Sequence, residues 1–453
     1  MRIVIIGGVA AGAKAAAKAQ RVNPEAEILI YQDEAEVSYS ACGEPYVISG
    51  VIADAEQLLI RRADEFAESG VQVYTRHRVT DINPAQQQLS ICNLSAQQVF
   101  TDHYDRLIIA IGASPVIPPI DGTDREGVLC LRSWTQFQAL LLALTDLKPK
   151  HAVIIGTGYI SMELAEAFCQ RAIHTTIIGR STHILSQYDA DMAKHVQTHL
   201  QSHGVELQLG VGVKQFIGKQ KIEAVELNDG CLIPADLVVL ATGIRANSEL
   251  AKQAGLELGN SGAIKVNHKM QTSNPFIYAA GDCCETFNLI TQTAFWQPLG
   301  DIANLQGRVA GENAAGGNAS FPGVLGTSIV KVFDFNVAIT GLSETKAVKH
   351  GFKPLAVTVK AMNKARYYSN AQFSYLKLIA DVESGRLLGA QAVGLGASDK
   401  LIDIVATALL GKLTCEEMEN ADLAYSPPFS PVLSPVILAA GVLAGRWREQ
   451  KVQ

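Results

Sequence analysis

Basic residues do not outnumber acidic ones: 38 Lys and Arg stand against 44 Asp and Glu, a formal charge of -6. That leaves no basic footprint for nucleic acid, and solubility is the plain reading of the charge. Long apolar runs are missing too. The most apolar late stretch, Pro435 to Gly445, is too short to cross a bilayer and reads as a core or interface helix. Eight cysteines, at 42, 92, 130, 169, 231, 283, 284 and 415, are too scattered for a disulfide framework. Their spacing suggests no metal centre, and none is expected. The opening "MRIVIIGGVAAGAKAAAK" enters a strand and a glycine turn without a basic leader. A reducing cytoplasm fits these absences.

What is present is a globular composition, 48% hydrophobic with 38 glycines, in a chain long enough for two or three domains. Residues 2–34 read strand, turn, helix, strand. Gly7 and Gly12 let the backbone approach a pyrophosphate at the helix N-terminus, with Val9, Ala10 and Ala11 between them. Gln32 replaces the acid that usually ends the second strand, with Asp33 and Glu34 following, and it can still hydrogen-bond a ribose hydroxyl. The arrangement recurs at 151–180, where Gly156-Thr157-Gly158 opens a helix carrying Glu163, and small Ser161 takes the third glycine position. The next strand ends in Gly179-Arg180. No acid stands there to hold the 2′-hydroxyl of NAD, so Arg180 favours a 2′-phosphate, as in NADPH.

Two dinucleotide sites in one chain point to electron transfer between two dinucleotides, one of them a flavin. Two more strands ending in glycine turns, in 104–122 and 235–247, flank the second unit. A further strand ends in Gly281-Asp282, a carboxylate placed to accept from ribityl hydroxyls or to cap a helix. Beyond the composition break at 311–323 come strands and helices without phosphate-binding glycines.

Cys42 lies in "SYSACGEPYVISG", Ser38 to Gly50. It is expected at a helix N-terminus, with Pro45 in the first turn, where the partial positive charge lowers a thiol's pKa. Glu44 opposes thiolate formation if close, and is neutral in effect if it points to solvent. A lone thiol cycles only through a mixed disulfide, a persulfide or a sulfenic acid.

The first glycine turn at 7–12, then Gly156-Thr157-Gly158-Tyr159-Ile160, "ATG" at 241–243, "GDCCE" at 281–285 and "PLGDIANLQGR" at 298–308 occur in a familiar order. Over nearly its full length the chain resembles the flavoprotein pyridine nucleotide–disulfide oxidoreductases. "SYSACGEPY" is similar to the single-cysteine branch: coenzyme A-disulfide reductases, NADH oxidases, NADH peroxidases and persulfide or polysulfide reductases. The resemblance implies an α/β fold with two Rossmann-like dinucleotide-binding domains plus an α+β C-terminal dimerisation domain. Expected bounds are 1–118 and 242–320 for the FAD domain, 119–241 for the NAD(P)H domain and 324–453 for the dimerisation domain.

By the same resemblance, Gly7, Val9, Ala10, Ala11, Gly12, Gln32, Asp33, Val79, Ala110, Gly112, Asp282, Leu299 and Ala303 would line the FAD site. Gly156, Gly158, Tyr159, Ile160, Glu163, Arg180 and Gly243 would serve NADH or NADPH, with NADPH slightly favoured. Tyr159 matches the tyrosine that shields the flavin ring. The helix begun by "PLGDIANLQGR" would aim its N-terminal amides at the flavin's pyrimidine oxygen.

The dithiol members carry two cysteines five residues apart, but here Val37 and Val47 flank Cys42 at that spacing. Ala10 stands where peroxidases and water-forming oxidases have a histidine. Tyr367 and Tyr425 match two tyrosines of coenzyme A-disulfide reductases that reach the partner's cysteine. Arg21 and Ser38 match positions that hold coenzyme A, and Arg61 and Arg62 add local positive charge. Two residues depart from the reductase pattern: Ala41 replaces an asparagine, and Glu44 an apolar residue. The expected function is reduction of small disulfides or persulfides by NAD(P)H, coenzyme A disulfide first among them, in a homodimer with no nucleic-acid or membrane partner. The alternatives are an NAD(P)H oxidase or peroxidase, or an electron-transfer reductase.

Overall fold

The computed structural model describes residues 1–452. Arg2–Ile6 is the middle strand of a five-stranded parallel sheet ordered Ile277–Ala279, Arg106–Ile109, Arg2–Ile6, Glu27–Tyr31 and Val71–Tyr74. Strands covered on both faces need unbroken apolar runs, which "RIVII" and "RLII" supply. The crossover helix Ala10–Val22 buries Ala11, Ala15, Ala16 and Ala19. It lies against the helix Gly300–Ala314. A Cβ on Gly307 or Gly311 would fall 2.3 or 2.2 Å from the carbonyl oxygens of Ala11 and Ala15. The two helices therefore touch backbone to backbone, and only glycine permits it.

A second parallel sheet runs Glu206–Leu209, His174–Gly179, His151–Ile155, Leu237–Leu240, Val128–Cys130. The chain enters and leaves this unit along paired antiparallel strands, Ala113–Pro115 and Ile244–Ala246. Each Rossmann-like sheet has a three-stranded antiparallel sheet in its own stretch of chain, at residues 77–103 and 213–234.

The third unit is a five-stranded antiparallel sheet ordered Ser328–Val332, Phe335–Gly341, Leu387–Gly394, Phe373–Asp381 and Pro354–Met362. Helices Ser398–Leu410 and Pro435–Val452 cover it with one apolar core. The apolar stretch read as a core or interface helix is thus part of the longer Pro435–Val452 helix, whose Val436, Ala439, Ala440 and Leu443 are buried. Among the described residues no helix is long and apolar enough to cross a membrane. An ion cluster around buried Lys377 ties this unit to the second: Lys377 meets buried Asp189 at 3.3 Å, exposed Asp191 at 2.9 Å and also Glu344.

Candidate active site

Cys42 sits in a single tight helical turn, Ala41–Gly43, that runs into the short helix Glu44–Ser49 with Pro45 in its first turn. The longer helix dipole near the thiol belongs to another segment. A Cβ on Gly300, the first residue of the Gly300–Ala314 helix, would lie 3.8 Å from Cys42 Sγ. Cys42 is exposed in the single chain. Even so, the surrounding protein desolvates the sulfur and pushes the thiol above its usual range. Glu163, Glu44 and Asp282 push the same way, while Arg132 opposes them. This overturns the expectation of a lowered thiol, because burial dominates and a one-turn helix contributes little against it.

Glu44 does not point to solvent. It is 2% exposed, and burial pushes its carboxyl up to about 8 against the pull of Arg132. Its Oε1 has no hydrogen-bond partner. Arg132, just after the Val128–Cys130 strand, pairs with Asp282 and leaves its own Nε buried without a partner. Burial raises the Asp282 carboxyl, and Arg132 draws it down. The sequence reading did not single out Arg132. The one available signal was its place at the C-terminal end of a parallel strand, where ligands of doubly wound sheets collect.

The glycine turns are built for close approach. Gly7 has φ +93°, and a Cβ there would meet the Ala110 oxygen at 2.4 Å; one on Gly12 would meet the Gly7 oxygen at 1.8 Å. Ala10 and Ala11 begin the Ala10–Val22 helix, behind Val9. Gln32 is buried and its Oε1 accepts from the Gly8 N–H at 2.8 Å, so its amide nitrogen remains the donor available to a ribose. Asp33 faces Arg78 at 3.5 Å. Val79 is buried in the core of the first unit. Gly112, with φ +65°, lies 3.8 Å by its notional Cβ from Arg132 Nη2. A Cβ on Gly281 would approach the Cβ atoms of Ala11 at 3.0 Å and Ala303 at 3.5 Å, which brings the glycine turn, Asp282 and the Leu299–Ala303 helix start together.

In the second unit a Cβ on Gly156 would lie 2.0 Å from the Ala241 oxygen, whereas Gly158 and Gly243 have open space around theirs. Ile160 is partly exposed at the helix start, and Arg180 is exposed just beyond the strand ending at Gly179. Burial, with Glu166 nearby, pushes Glu163 up to about 7. Tyr159 shares a hydrogen bond of 2.6 Å with Ser328 across to the third unit, and donates to Tyr188 at 3.4 Å. It lines a cavity of about 280 Å³ with Phe295, Leu299, Lys346 and His350.

Tyr367 and Tyr425 lie apart from these groups, on two loops joined by the Ala365 N–H and the Pro427 carbonyl. Tyr367 raises the Tyr425 phenol above its ordinary range, and the same loops expose Tyr368, Phe429, Val432 and Leu433. Arg21 is exposed at the end of its helix, and Ser38 holds the Gly8 carbonyl through its N–H at 2.8 Å. Arg61 is engaged locally, stacked over Phe66 at 4.2 Å and bonded to Ser69 Oγ at 2.6 Å.

Residues 1–297 match the pyridine nucleotide-disulphide oxidoreductase family, and residues 327–436 match the dimerisation domain of that name. The chain belongs to the pyridine nucleotide-disulphide oxidoreductases. It is 39% identical to a CoA-dependent NAD(P)H sulfur oxidoreductase of Pyrococcus furiosus over 444 residues, 98% of this chain and 99% of that one. It is 35% identical to an NADH oxidase of Methanocaldococcus jannaschii over 97% of this chain and 98% of that one. The solved NAD-dependent persulfide reductase from A. fulgidus superposes with a TM-score of 0.96 at 38% identity, covering 99% of this chain and 84% of that one. As a family member the chain is an oxidoreductase that uses FAD and a pyridine nucleotide. Its own residues fit the flavin: a turn only glycine can form, an uncapped helix start at Gly300, and the unpartnered atoms of Arg132 and Glu44.

Proposed function

We propose that this oxidoreductase uses NAD(P)H to reduce small disulfides or persulfides at Cys42, with coenzyme A disulfide as the leading substrate. The observation that carries the reading is a reachable thiol at the start of the Gly300–Ala314 helix, with valines at both positions where a second local cysteine would stand. The second sulfur must then come from the substrate. The named activities of the Pyrococcus and A. fulgidus relatives support this class of acceptor.

FAD supplies a two-electron carrier between nicotinamide and sulfur. For its part the chain holds the reacting sulfur: the Cys42 thiolate attacks one sulfur of the substrate, forming a mixed disulfide and releasing one thiol. Two electrons originating on NAD(P)H then break the mixed disulfide, and a proton completes the second thiol product. Arg132 offsets the carboxylates that oppose the thiolate. Tyr159, tethered to Ser328, covers the nicotinamide side and swings aside for the cofactor. Tyr367 and Tyr425 serve the partner's Cys42 in a homodimer formed through the dimerisation domain, steadying the leaving thiolate. Eight unpaired cysteines suit a reducing cytoplasm.

The M. jannaschii relative keeps an NADH oxidase as the second reading. Ala10, at the start of its helix, weighs against it, since it supplies no acid–base group where the resemblance puts the oxidases' histidine. Intact mass before and after mild reduction separates the cases. Loss of coenzyme A supports the leading substrate, and loss of one sulfur atom supports a persulfide. A Cys42→Ser chain that keeps FAD and full disulfide turnover refutes the mechanism.

A further inference from the structure

Far along the chain from Cys42, the helix Ala190–Ser202 carries His199 in its last turn, and His203 follows one turn later. The hairpin between Ser328–Val332 and Phe335–Gly341 reaches over from the third unit with Asp334 at its tip. One ligand atom from each of His199, His203 and Asp334 lies within 4.8 Å of the others. We propose that these three residues form a site for a first-row divalent cation of the zinc class, bridging the pyridine-nucleotide unit and the C-terminal unit.

Three independent features support the assignment. His199 Nε2 is buried without a hydrogen-bond partner, although Asp334 Oδ1 stands only 2.7 Å away. That separation is ion-pair contact, shorter than the ~3.3 Å that two tetrahedral bonds of ~2.0 Å set between ligands, so a bound ion requires Asp334, at an exposed hairpin tip, to draw back from His199. The second feature is that His203 Nδ1 bonds the His199 backbone carbonyl at 2.9 Å. That bond puts the proton on Nδ1 and leaves a lone pair on Nε2, the usual outer-sphere arrangement of a ligating histidine. Finally, both rings are clamped. His199 stacks on Phe335 at 3.6 Å and His203 on Phe333 at 4.1 Å.

The clamp has a backbone cost. Phe333 is the first residue of a two-residue hairpin turn and has φ +54°, a sign that favours glycine, asparagine or aspartate there. Retaining a phenylalanine in that conformation places its ring over His203. Two imidazoles and one carboxylate suit Zn²⁺ better than Ca²⁺ or Mg²⁺, which prefer oxygen alone. His203 and Asp334 are solvent-exposed, so a fourth, water-filled position remains reachable. With Asp334 on one unit and both histidines on the other, the ion acts as a structural bridge rather than a participant at Cys42.

The test uses the FAD-loaded enzyme, treated with a chelator and titrated with ZnCl₂ against a chromophoric competitor. A Cys42→Ser chain is titrated in parallel, to remove the reactive thiol as a rival ligand. The expected result is one Zn²⁺ per protomer in both chains. Affinity should fall at least tenfold in His203→Gln and in Asp334→Asn, each of which alters an exposed side chain and can be checked for retained FAD. X-ray absorption of the zinc-loaded enzyme should show nitrogen and oxygen at ~2.0–2.2 Å with imidazole scattering. The unfolding midpoint should rise with the logarithm of free Zn²⁺. Absence of stoichiometric binding to the Cys42→Ser chain, a sulfur shell at ~2.3 Å, or unchanged affinity in both exposed variants overturns the proposal.

Discussion

Arg132 and Asp282, 150 residues apart in sequence, form an ion pair in the site beneath Cys42. Arg132 is the one cation that lowers the Cys42, Glu44 and Asp282 pKa values, all of which burial raises. Replacing Arg132 with methionine leaves a mostly buried Asp282 unpaired, and costs about 3 kcal/mol. Urea unfolding of the holoenzyme measures that loss. Alkylation of reduced Cys42 by iodoacetamide at pH 8 should slow several-fold, with Arg132→Lys intermediate.

Glu44 makes stability pH-dependent. Its carboxyl titrates at about 8 in the folded chain, far above the ordinary 4.5. The folded state therefore holds a proton that the unfolded state releases between those values, and stability falls as pH rises through this window. The total is on the order of a few kcal/mol. Glu44→Gln removes the dependence, so its stability advantage over the parent should grow from pH 5 to pH 8 and then level off. Denaturant midpoints across that range check it; a difference that stays flat with pH counts against a buried, protonated Glu44. The same variant should speed Cys42 alkylation.

Arg180 is exposed at the end of a strand that lacks the acid selecting a free ribose. Arg180→Glu should raise the KM for NADPH at least tenfold and change the KM for NADH less than about threefold. The parent's KM for NADPH should also climb more steeply with salt. Steady-state kinetics with both cofactors at two ionic strengths decides the point.

Gly311 has no room for a side chain, since a Cβ would lie 2.2 Å from the Ala15 carbonyl oxygen. Gly311→Ala must push the Gly300–Ala314 helix away from Ala10–Val22, at a cost of about 1–3 kcal/mol. Because Gly300 borders Cys42, FAD content per chain should fall too. Thermal unfolding and the flavin-to-protein absorbance ratio measure both effects.

Much of the architecture was legible from local pattern. Gly7, Gly156 and Gly158 each follow an apolar strand run and precede a helix, and the structure places them in those turns, with Gly12 in the first turn of the helix Ala10–Val22. The role of a glycine there is set by its immediate neighbours. Cys42 was also visible as a lone thiol, because the missing partner could be checked at two nearby positions. Arg132 was not visible, as its meaning depends on Asp282 from a distant strand end. Glu44 was open to two readings, since burial is a property of what packs over a residue.

The amino-acid sequence by itself determined two nucleotide-binding units, the single thiol and the arginine at the edge of the second unit. Strand and turn propensities, apolar runs and glycine spacing act over a few residues and survive without tertiary context. Only the tertiary structure decided the electrostatics: a raised Cys42 thiol, a buried Glu44, the Arg132–Asp282 pair and the His199–His203–Asp334 cluster. Desolvation and charge–charge interaction depend on distance in space, and folding alone brings residues so far apart in the chain within a few ångströms.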